Sequence, residues 1–172
     1  MSARSFLAFF AVAAVLGLLA FGLLSKGSDL EVGDPVPDKV LPVLGGPGQG
    51  SIAAYRGKWV LVNLWASWCG PCREEAPVLE RFYRRERGHN VTVIGINVQD
   101  NQDDALAFLD ELHPTFPELR SVGDERSAAF GIIGVPENFL VDPRGKLALI
   151  YRGVVDDDIL REQVAPVIEG RQ

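Results

Sequence analysis

The sequence predicts an α/β domain with a central mixed sheet flanked by helices, preceded by one N-terminal transmembrane helix. Three observations predict it. Apolar, β-branched runs alternate with helical patterns through the middle of the chain. Two later strands close around a Pro-Gly turn. A 19-residue stretch without charge or proline, Phe6 to Leu24, stands ahead of them all.

At about 1.5 Å per residue, that stretch reaches about 28 Å, close to a bilayer's hydrocarbon core. Arg4 and the α-amino group precede it, and Lys26 follows it, with Asp29 and Glu31 soon after. The balance places the body outside the cytoplasm. A cleaved signal peptide would need a shorter apolar region and a small-x-small site. No clean site stands around Gly22 to Lys26, and no cysteine is at hand for lipid attachment. The expectation is an uncleaved, single-pass anchor in the cell membrane over 1–26, a linker and lead-in over 27–37, and a domain over 38–172. Either reading of the segment exports the domain.

A chain of 172 residues suits one domain plus this appendage. The anchor inflates the 47% hydrophobic content. A formal net charge of -6 gives no basic face, so no nucleic-acid partner is expected.

The elements follow in order. Gly33, Pro35 and Pro37 keep the lead-in out of a helix. Val40 to Leu44 predicts a short strand, and Gly45 to Gly50 a turn or loop. Trp59 to Trp65 is nearly continuous apolar sequence, which suits a strand buried on both faces. Pro71 fits the first turn of a helix, where its missing N–H is not needed. Arg73 to Arg87 then predicts helix, with Ala76, Leu79, Phe82 and Tyr83 packing inward and Pro77 kinking it. Val91 to Val98 predicts a second buried strand. Asp103 to Glu111 predicts a helix that His113-Pro114 ends. Phe116 to Val122 predicts a short strand, and Glu125 to Phe130 a short helix. Glu137 to Val141 and Lys146 to Tyr151 predict a hairpin. Asp156 to Ile168 predicts a terminal helix with acids at its positive end, its last turn weakened by Pro166.

Cys69 and Cys72 are the only cysteines, and they stand together in Trp68-Cys69-Gly70-Pro71-Cys72. A lone pair cannot build a disulfide scaffold or a four-cysteine zinc site. As a fixed disulfide it would close a very short loop and stabilise little. His89 and His113 form no ligand-like pair with it, so neither a metal nor a cofactor is expected. A redox dithiol remains. The thiolate is the nucleophile, and a helix N-terminus favours it. Cys69 should therefore be the more exposed attacking thiol. Cys72, one turn in, should be the better buried resolving thiol.

Val62-Asn63-Leu64-Trp65-Ala66-Ser67-Trp68-Cys69-Gly70-Pro71-Cys72 resembles the active-site region of the thioredoxin superfamily. Arg73, Glu74, Glu75 and Pro77 continue the match. Gly131 to Asp142 resembles that superfamily's cis-proline loop, and Val32 to Asp38 resembles the opening segment of its membrane-anchored, extracytoplasmic TlpA- and ResA-like branch. The Pro136-Glu137 pair is similar to the cytochrome c maturation proteins of CcmG/DsbE type. The likeness covers roughly Leu30 to Ile168.

The resemblance implies a thioredoxin-like fold and a cis Val135-Pro136 bond facing the disulfide. It implies Trp68, Pro136 and Glu137 as the substrate-facing residues. Asn63 stands where cytoplasmic thioredoxins carry a buried aspartate, so another acid is needed. Glu75, three residues beyond Cys72 and on the same helical face, is the candidate. An isolated glutamate there would be an ordinary solvated charge. Glu75 and Glu137 would raise the thiol pKa values and make the pair more reducing. Trp65 is expected in the core.

The implied activity is that of an anchored protein-disulfide reductant. Its substrates would be apocytochrome c or an assembly factor, and a trans-membrane electron donor would recharge it. The alternative within the same chemistry is an oxidant that installs disulfides. A peroxiredoxin-like peroxidase would need a threonine shortly before its reactive cysteine, where this chain has Ala66-Ser67-Trp68. A copper chaperone would need a wider cysteine spacing and a soft ligand after it.

Overall fold

The computed structural model describes residues 30–122 and 134–170, with the single positions 12 and 17. The rest of the run Phe6 to Leu24 and the expected helix Glu125 to Phe130 lie outside the described residues. Among the described residues, no helix is long and apolar enough to cross a membrane.

A small hairpin comes first, β1 (Leu41–Pro42) with β2 (Gln49–Gly50), so the expected loop ends in a strand. A 3₁₀ turn (Ile52–Tyr55) leads into β3 (Trp59–Trp65), followed by helix α1 (Gly70–Glu86) and β4 (Val91–Asn97). Helix α2 (Gln102–Leu112) and the short β5 (Glu118–Arg120) come next. β6 (Glu137–Val141) and β7 (Leu147–Arg152) form the predicted hairpin. The terminal helix, called α3, runs through Asp157–Ile159, Leu160–Val164 and Ala165–Glu169.

The five-stranded sheet has the order β5-β4-β3-β6-β7. β3, β4 and β5 are mutually parallel, while β6 runs antiparallel to β3 and β7 to β6. This is the predicted mixed sheet. Alternation along β3 divides its side chains between two cores. Val60, Val62 and Leu64 join Ile94, Ile96, Phe139 and Val141 on one face. Trp59 and Leu61 join Leu79 and Phe82 of α1, and Leu160, Val164 and Ile168 of α3, on the other. Each such aliphatic or aromatic side chain contributes about 1.5–3 kcal/mol on full burial.

Three details bear on the expectations. The lead-in is docked rather than free at 33–36: Gly33 N–H reaches the Leu147 carbonyl at 2.8 Å, Leu147 N–H reaches the Asp34 carbonyl at 2.9 Å, and Val36 is buried. In α3, Pro166 does not undo the last turn. A wider π-helical stretch, Leu160–Val164, lies immediately before it. There the proline ring would otherwise press on the carbonyl four residues back. α1 continues unbroken through Pro77, whose position is exposed.

Candidate active site

Strand β3 delivers the chain to Cys69, which caps the N-terminus of α1 with an extended backbone. Cys69 and Cys72 form a disulfide with Sγ–Sγ 2.07 Å. Cys72 N–H donates to Cys69 Sγ at 3.1 Å. A thiolate formed at Cys69 would keep that donor and the positive end of a 17-residue helix with no acidic residue in its first turn. The expected difference in exposure is small. Cys69 is 4% exposed and Cys72 2%, because Leu44, Trp65, Ala66 and Phe108 close around both. Their order of reactivity therefore rests on the helix terminus.

The approach to Cys69 is pinned from the β4–α2 connection. The Asp100 carboxylate accepts Ser67 N–H at 2.6 Å and Ser67 Oγ–H at 2.7 Å, and also Asn97 Nδ2 at 2.8 Å. Trp68 is 61% exposed, and its indole N–H donates to the Gln99 carbonyl at 2.8 Å. The exposed ring next to Cys69 in sequence is thus tied to the β4–α2 connection. Trp65 is buried as expected and stacks on Phe108, ring centroids 4.6 Å apart. Val135-Pro136 is cis, and Val135 packs against the cluster that holds the two cysteines.

Glu75 is fully buried, which excludes a solvated helix charge. Its Oε1 accepts from Asn63 Nδ2 at 2.6 Å, and its Oε2 from Asn138 Nδ2 at 3.1 Å and Val155 N–H at 3.0 Å. Burial disfavours the carboxylate and outweighs these donors, so its pKa is pushed up to about 7. Asn63 and Asn138 face each other in register across β3 and β6, and Asn63 also donates to Asn138 Oδ1 at 3.1 Å.

Glu137 is buried too, but Arg152 Nε approaches its Oε1 at 3.3 Å. This guanidinium offsets the charge that was expected to act on the thiols. Among the described residues, no three His, Cys, Asp or Glu side chains stand together as metal ligands.

The structure thus gathers Cys69, Cys72, Pro136 and Trp68 at one end of the sheet, with Glu75 one turn behind Cys72. Sequence reasoning missed Asp100 and Asn138. The polar pair Asn138-Glu137 inside an otherwise apolar strand was the available signal for Asn138. Asp100 carried none.

Comparison with known proteins agrees with this geometry. The sequence profile of the AhpC/TSA family matches residues 32–150. The chain is 36% identical to the thiol:disulfide interchange protein DsbE of Pseudomonas fluorescens biotype C over 135 residues, covering 78% of this chain and 74% of that one. It is 37% identical to the DsbE of Pseudomonas aeruginosa over 142 residues, 80% and 76% of the two chains. A crystal structure from Chlorobium tepidum, assigned as a thiol:disulfide interchange protein DsbE, superposes with a TM-score of 0.73 at 28% identity. That match covers 83% of this chain and 98% of the other. The chain therefore belongs to the AhpC/TSA family, on a thioredoxin-like fold, and is a thiol–disulfide oxidoreductase similar to the thiol:disulfide interchange proteins.

Proposed function

We propose that this oxidoreductase is a membrane-tethered, extracytoplasmic reductant of protein disulfides that serves cytochrome c maturation. Apocytochrome c or an assembly factor would be its substrate, and a trans-membrane donor would restore its dithiol. One observation carries the reading: Glu75 is buried one turn behind Cys72 with a pKa near neutrality. In this reading the Cys69 thiolate attacks a substrate disulfide and forms a mixed disulfide. Glu75 takes the proton of Cys72, and the Cys72 thiolate displaces the reduced substrate. Trp68 offers the exposed surface that receives the partner; Pro136 and Glu137, the other residues expected to face it, are buried. The apolar run Phe6 to Leu24 supports an anchor over 1–26, with the domain over 38–172 on its outer side.

The reducing direction draws on Gly70-Pro71, on the buried acid Glu75 and on the likeness to the maturation proteins. The oxidising direction has one observation in its favour, the helix N-terminus at Cys69, which stabilises the reduced pair. Equilibration with thioredoxin and glutathione couples decides between them. The expected potential lies nearer about -270 mV than about -120 mV. A value at the upper end overturns the reductant reading. Cys72→Ser should accumulate mixed disulfides with partner proteins, and Cys69→Ser should not. Protease protection in oriented vesicles tests the topology.

A further inference from the structure

One register row of the sheet places three polar side chains around Gly95. Glu118 stands opposite Gly95, Gly95 opposite Asn63, and Asn63 opposite Asn138. Asn63 and Asn138 hold Glu75. Glu118, at the far end of the row, is a further buried acid besides Glu75 and Glu137, and has no role so far. Its carboxyl group lies over Gly95, where an added Cβ would collide with both oxygens. The glycine leaves a notch through which the carboxyl reaches along the row. Trp65 Nε1 donates to its Oε2 at 2.8 Å.

A cavity of about 10 Å³ lies between the sheet, α1 and α2. That is room for about one water molecule. Its polar lining is Asn63, Trp65, Cys72 and Glu118. α2 adds only carbon, from Phe108, Leu109 and Leu112, and the connection to β5 adds Phe116. Among the described residues, Cys72 and Glu118 are thus the only ionisable side chains on its wall. Arg73 of α1 and Glu111 of α2 pair with each other at 2.5 Å and do not line it. Glu75 is bonded to the far side of this wall through Asn63. Burial with a single donor pushes the Glu118 pKa up to about 8, so it carries a proton at neutrality.

We propose that Glu118 is a proton-holding residue of the dithiol, delivering a proton through one water in the shared cavity to the Cys72 thiolate when a dithiol donor opens the disulfide. The inference rests on the oxidoreductase activity alone. A donor thiolate attacks Cys69 Sγ. The donor S–Cys69 bond forms, the Cys69–Cys72 bond breaks, and the electron pair leaves on Cys72 Sγ. The proton passes from Glu118 to the water and from the water to Cys72. The Glu118 carboxylate, held by the Trp65 indole N–H, regains a proton from solvent. The donor's second thiolate then attacks the donor sulfur of the mixed disulfide. Cys69 leaves as thiolate and the donor leaves as a disulfide, so two electrons have passed to the pair. Glu75 accepts a proton when the dithiol is oxidised; Glu118 supplies one when it is reduced.

The test is the opening of the oxidised full-length chain by dithiothreitol, followed from about pH 6 to about pH 9 and corrected for the donor's own thiolate fraction. Glu118→Gln keeps an oxygen for Trp65 but holds no titrating proton. It should slow opening at neutral pH by about tenfold or more and remove the fall in rate above about pH 8. Gly95→Ala, which evicts the carboxyl, should do the same. An unchanged pH profile in Glu118→Gln overturns the proposal, whatever happens to its melting temperature. If the variants fail to fold, carbon-13 carboxyl NMR of the wild type decides. The Glu118 titration midpoint must differ between oxidised and reduced chains, and equal midpoints overturn the proposal. Opening by dithiothreitol depends on neither the physiological partner nor the direction of electron flow. A high reduction potential would therefore sink the reductant reading and leave this test standing.

Discussion

Asn63 and Glu75, twelve residues apart in sequence, meet in the interior with Nδ2 2.6 Å from Oε1. The amide donates, and the acid sits on the helix rather than on the strand. Asn63→Asp should therefore bring two carboxyl groups into direct contact. It should destabilise the wild type above pH 7 by on the order of 2 kcal/mol and raise the apparent pKa of the pair. In a Glu75→Gln background the same change should be nearly neutral and should restore part of the exchange rate. A double-mutant cycle by urea unfolding measures the coupling. Equal effects in both backgrounds would mean that the two side chains do not communicate.

Glu75 also sets a pH dependence. The resolving step needs its carboxylate, so the rate should rise with pH through about 7. Glu75→Gln should lower that rate by about 100-fold and flatten the profile. Stopped-flow decay of a mixed disulfide on Cys69 reads both. A normal rate with unaltered Cys72 titration would reduce Glu75 to a packing role.

The two raised acids predict the slope of stability against pH. The folded-state pKa of Glu75 is pushed up to about 7 and that of Glu118 to about 8. A raised folded pKa means that the folded state holds the proton more tightly. The associated stability is full below the unfolded value and is lost as pH rises through the folded one. The oxidised domain should thus weaken between about pH 5 and about pH 9, by a few kcal/mol in sum. Thermal unfolding across that range should show Glu75→Gln and Glu118→Gln each flattening the slope. A wild-type stability that climbs with pH would contradict both assignments.

Asp100 predicts a local effect. It accepts both Ser67 hydrogens and fixes the turn before Cys69. Asp100→Ala should free the Ser67 amide and destabilise the domain by about 1–3 kcal/mol. Hydrogen exchange at Ser67 should accelerate well beyond that of the β3 amides. Uniform exchange with wild type would show that the clamp is dispensable.

The chemistry was legible in the sequence because it is local. A β-branched apolar run, a three-residue turn, CxxC and a proline in the first helical turn lie within one short stretch, so strand, cap and helix follow from neighbouring residues. The late hairpin was legible for the same reason. What surrounds the dithiol was not. Asn138 lies 63 residues from Glu75 and Val155 lies 80, and they meet only because β6 pairs beside β3 and α3 folds back over the sheet. Periodicity tells which face a strand residue occupies; register decides which residue stands beside it. The row Glu118–Gly95–Asn63–Asn138 is a product of register alone. Exposure, too, belonged to tertiary structure: Cys69 looked open at a helix start, and Leu44 of the β1–β2 turn, Trp65 of β3 and Phe108 of α2 bury it.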